Sequence, residues 1–218
     1  MIINHDTPEY REKWKHASNN QWNGAFYYSK EICKYIIPLI DTDRNWITVN
    51  VEGVGCDHAI VFIHNNLHPE NYEWLSRYKD LILVCGIRET VPKVKHLGKA
   101  IYLPLSVKVD DVAKYRCEKT KDTAFAGRRA KRKGAEFKDT DYLEGLPRTK
   151  FLAEMAKYRK VYAVGRTAIE AKILGCKVLP YDERFPNPKR WRVLDSSEAV
   201  KILQKKLDKT ERSKNEQR

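Results

Sequence analysis

A parallel α/β fold is the class this sequence predicts, and three observations carry the prediction. Two apolar runs, AIVFIH (59–64) and LILVCG (81–86), have the composition of strands covered on both faces. Helical patterns lie between such runs, as they do when crossover helices join parallel strands. Late in the chain, the short strand Val161–Val164 runs into Gly165. A helix then opens at Thr167 and ends near Gly175, and a second strand follows over Lys177–Tyr181.

Taken in order, residues 24–40 read as an amphipathic helix with Phe26, Ile32, Cys33 and Ile36 on one side, ended or kinked by Pro38. WITVNV (46–51) and AIVFIH are strand-like, 68–80 is a candidate helix, and LILVCG and AIYLPL (100–105) are strands. The polar stretch 106–122 reads as a connection between two halves. TAFAGR (123–128) opens a second strand set. Residues 145–160 read as a helix with Phe151, Leu152, Met155 and Ala156 on one stripe, 183–192 as a proline-interrupted loop, and 196–207 as a last helix capped by Ser196 or Ser197. The expected division is an N-terminal domain over 1–112, a C-terminal domain over 113–207 and a charged tail over 208–218.

Hydrophobic residues make up 42% of the 218, enough for a packed core. No apolar run approaches the roughly 20 residues of a membrane span. The polar start of the chain is unlike a secretory signal, and the five scattered cysteines form no CxxC pair, so a reduced, cytoplasmic protein without a metal site is expected. The net charge of +13 favours a polyanionic partner such as nucleic acid, although part of the excess lies in the terminal residues.

Two motifs could carry chemistry. In GRRAKRKG, Gly127 to Gly134, five of the six residues from Arg128 to Lys133 are cationic. At the end of a strand they could grip phosphate, arginine through its planar fork and lysine as a point charge. The same run also reads as a solvated basic loop or a general nucleic-acid patch. In GRTAIEAKILG, Gly165 to Gly175, a glycine turn meets a helix start, where backbone amides favour an anion. Thr167 and Glu170 have capping-box spacing. Glu170 is therefore either a cap or a carboxylate for ribose hydroxyls.

These residues resemble the donor-binding half of GT-B-type glycosyltransferases. Gly127, Arg128, Lys133 and Gly134 match that family's G-R-x-x-x-x-K-G, and Glu170, Ala171 and Gly175 match its E-A-x-x-x-G helix. Ala163 stands where many members carry a second glutamate. The resemblance implies two Rossmann-like domains with parallel sheets facing a central cleft. It implies a nucleotide-sugar co-substrate, no tightly bound cofactor, and a diphosphate held by Gly127, Arg128, Lys133, Gly165, Arg166 and Thr167, with Glu170 on the ribose. Strand ends of the first half supply candidate bases for the acceptor hydroxyl: Asp57, His58 and His64. The expected activity is sugar transfer to an acceptor, nucleic acid among the options. The alternative is a non-catalytic nucleotide or nucleic-acid binder on the same fold.

Overall fold

The computed structural model describes residues 2–3, 31–47, 58–63, 75–76, 78–126 and 140–215. They fall into two compact units. The first takes in Met1–Ala17, Ala25–Leu105 and Ser196–Arg218, and the second Ser18–Gly24 and Ser106–Asp195.

The first unit is built on a parallel sheet of β1 (Ile2–Ile3), β2 (Asn45–Ile47), β3 (His58–Ile63), β4 (Asp80–Cys85) and β5 (Lys99–Tyr102), in that spatial order. The two apolar runs pair with each other from His58↔Asp80 to Ile63↔Cys85, and every residue after the first of each strand is buried. One face carries Ala59, Val61, Ile63, Leu81, Leu83 and Cys85 into a core with Leu75, Tyr78 and Val94. On the opposite face of β3, Phe62 stacks on Trp46 with ring centroids 5.7 Å apart. Burial on both sides is why these strands lack the polar alternation of a half-exposed sheet. The short helix α1 (Val91–Val94) leads into β5.

Gly98 sets the approach of β5 to β4. A side-chain carbon there would meet Leu81 Cβ at 2.7 Å and its carbonyl oxygen at 2.9 Å. Since backbone cannot yield cheaply, Gly98→Ala is expected to lower stability by about 2 kcal/mol, on the scale of overpacking. Urea unfolding checks this, and an unchanged midpoint would mean the strands separate at no cost.

The second unit carries β6 (Lys121–Phe125), β7 (Asp141–Tyr142), β8 (Tyr158–Tyr162) and β9 (Lys177–Leu179), again parallel but in the order β7-β6-β8-β9. Helix α2 (Val109–Ala113) precedes β6, α3 (Arg148–Met155) joins β7 to β8, and α4 (Arg166–Ile173) joins β8 to β9. Helix α4 packs on β8, β9 and α2. Both ends of α4 depend on glycine. Gly165 precedes it at φ 62°, ψ −138°, a backbone region closed to other residues. Gly175 follows at φ 81°, and the amides of Gly175 and Cys176 bond back to Lys172 and Ala171 in a Schellman turn.

Several expectations are corrected. The chain leaves the first unit after Leu105, and the polar stretch from Ser106 belongs to the second, where Val107 and Val112 are buried. The last helix, α5 (Ser196–Asn215), belongs to the first unit and continues through most of the expected tail. Its Ala199, Leu203 and Leu207 are buried, it packs on the π-helical turn Ile32–Ile36, and Glu211 pairs with Arg44 at 2.8 Å. The helix expected over 145–160 stops at Met155, because Tyr158–Tyr162 is a strand. The described part of 24–40 is that π-helical turn followed by a 3₁₀ turn at Ile37–Leu39 with Pro38 inside it.

Candidate functional site

The two sheets differ in a way that bears on ligand binding. In the first, spatial order follows chain order. In the second, the chain runs from β6 outward to β7, then returns past β6 to β8 and β9. The connections therefore diverge between β6 and β8. In open parallel sheets such a reversal leaves a crevice at the carboxyl ends of the two strands, the usual place for a ligand. The strands leave the sheet side by side: Phe125 pairs with Tyr162, and the Ala126 amide bonds to the Tyr162 carbonyl at 3.0 Å. The basic segment Gly127–Gly134 continues the chain from Ala126, and the Gly165 turn lies three residues beyond Tyr162.

Helix α4 starts at this edge. Its first internal bond is from the Ile169 amide to the Gly165 carbonyl, and no side chain caps it. The first-turn amides thus face the edge rather than an intrahelical acceptor, at the positive end of the helix. The capping box does not form. Thr167 lies inside the helix, and Glu170 turns to two guanidinium groups instead. Its Oε2 accepts from Arg148 Nη1 at 2.7 Å, and its Oε1 accepts from both Arg148 Nη2 and Arg166 Nε. Glu170 is 1% exposed and Arg166 7%. Burial alone pushes the Glu170 carboxyl up, but the charges of Arg148 and Arg166 prevail and hold it below its ordinary 4.5. Arg148 and Arg166 thus flank one buried carboxylate.

Both Glu170 oxygens accept from guanidinium groups and the side chain is buried, so in this arrangement the carboxylate faces Arg148 and Arg166. Aromatic rings floor the same edge: Phe125 lies 5.8 Å from Tyr142 and 4.7 Å from Tyr181 between centroids, and burial pushes the Tyr181 hydroxyl to about 12.

Of the candidate bases, His58 is described. It stands at the amino end of β3, largely exposed, with Nδ1 3.1 Å from Asp80 Oδ2, which also accepts from Arg44 Nη2 at 2.7 Å. That is the amino edge of the sheet, opposite the carboxyl ends of the strands, where open parallel sheets usually bind ligands. Asp57, His64, Gly127, Arg128 and Lys133 lie outside the described residues. Arg148 escaped the sequence reading. Its signal was Pro147-Arg148, a proline at a helix start, which places the arginine in the first turn of α3.

Among the described residues no group of histidine, cysteine, aspartate or glutamate could hold a metal ion, and no helix is long and apolar enough to cross a membrane. The fold defines a parallel α/β protein whose second sheet reverses its strand order between β6 and β8. No family model, curated protein or solved structure matches the chain.

Proposed function

We propose that the second unit binds the diphosphate of a nucleotide sugar at the carboxyl ends of β6 and β8, and that the chain is a glycosyltransferase of the GT-B type. The observation that carries this reading is the strand order β7-β6-β8-β9. It brings the origin of the GRRAKRKG segment next to the Gly165 turn, the two motifs through which the sequence resembles that family. In this reading Arg128 and Lys133, which follow β6 in the sequence, would pair with the diphosphate. The first amides of α4, with Arg148 and Arg166 held by Glu170, would add donors to it. As the glycosidic bond breaks, negative charge grows on the departing diphosphate, and fixed donors lower its cost.

The test is a thermal shift with millimolar uridine, guanosine and adenosine diphosphates, followed by turnover with the matching nucleotide sugars. A ligand at a hundredfold excess over its dissociation constant adds about 2.7 kcal/mol of stability. The expected result is a rise in melting temperature with one diphosphate. In Arg128→Ala or Lys133→Ala the affinity falls about tenfold or more, the scale of a charged hydrogen bond. No shift with any nucleotide would end the donor reading. A second reading, a binder without chemistry, draws support from His58, which sits at the amino edge of its sheet. A nucleotide-dependent shift with no released diphosphate would select it.

A further inference from the structure

We draw no further inference here: the strongest candidate, the start of helix α4 beside the buried Arg148–Glu170–Arg166 cluster, belongs to the site already described.

Discussion

Glu170→Gln is expected to lower the stability of the protein by about 3 kcal/mol, read from urea unfolding at neutral pH. The wild-type carboxylate is almost wholly removed from solvent and neutralises parts of two guanidinium groups. Glutamine keeps the shape and one acceptor but no charge. Arg166 would then be buried without the charge of Glu170, and removing one partner of a buried pair typically costs about 3–5 kcal/mol. The lower end applies because Arg148 is 21% exposed and water relieves part of its loss.

The pH dependence follows from the direction of the Glu170 shift. Its folded carboxyl titrates below the ordinary 4.5. The contribution is therefore fully present above that value and lost as pH falls through the lower folded one. The stability gap between wild type and Glu170→Gln should be constant from pH 7 to 5 and shrink below about pH 4. A cycle with Arg148→Met isolates the pair. A single-variant loss near 1 kcal/mol, independent of pH, would be the signature of a lost helix cap and would contradict the arginine cluster.

That cluster also marks where sequence reading stopped. The strands β3 and β4 were legible because continuous apolar residues are a local signal, and so was α4, bracketed by Gly165 and Gly175. From sequence alone, β8 starts at Val161. Its first residues, Tyr158, Arg159 and Lys160, continue a helical-looking stripe, and it is the pairing of Tyr158 with Lys121 and of Lys160 with Thr123 and Lys177 that makes them a strand. The strand β7 is two residues, Asp141 and Tyr142, both exposed, with nothing apolar to reveal it. Helix α2 looked like linker because Val112 is its one buried position. The role of Glu170 was open for a different reason. Spacing on one helix suggested a partner three residues away, whereas the strongest partner stands 22 residues earlier, on another helix. Strand order, which sets the reversal between β6 and β8, is likewise fixed by pairings between distant segments.

Lys119→Met is expected to cost about 2 kcal/mol and to act locally. The Lys119 ammonium group donates to the carbonyls of Ala156 at 2.6 Å and Leu174 at 2.7 Å, and lies 3.4 Å from Cys176 Sγ. Those carbonyls are the last of α3 and α4, so one cation closes the negative ends of two helices. The stabilisation combines hydrogen bonds from a charged donor with a favourable dipole interaction. Methionine fills the same volume but leaves both carbonyls dependent on water. Because the Schellman turn at Gly175 and the neighbouring contact of Arg116 with the Ile173 carbonyl remain, the helices persist and only their ends loosen. Hydrogen exchange should therefore quicken at the amides of Ala156, Lys157, Gly175 and Cys176 while the strands β3 and β4 stay protected. Uniform acceleration across both units would show instead that Lys119 stabilises the chain globally, and the helix-end account would fail. If the helix-end account holds, the fixed position of α4 against β8 and β9 is secured from the amino edge of the sheet, so its first turn can remain without a side-chain cap.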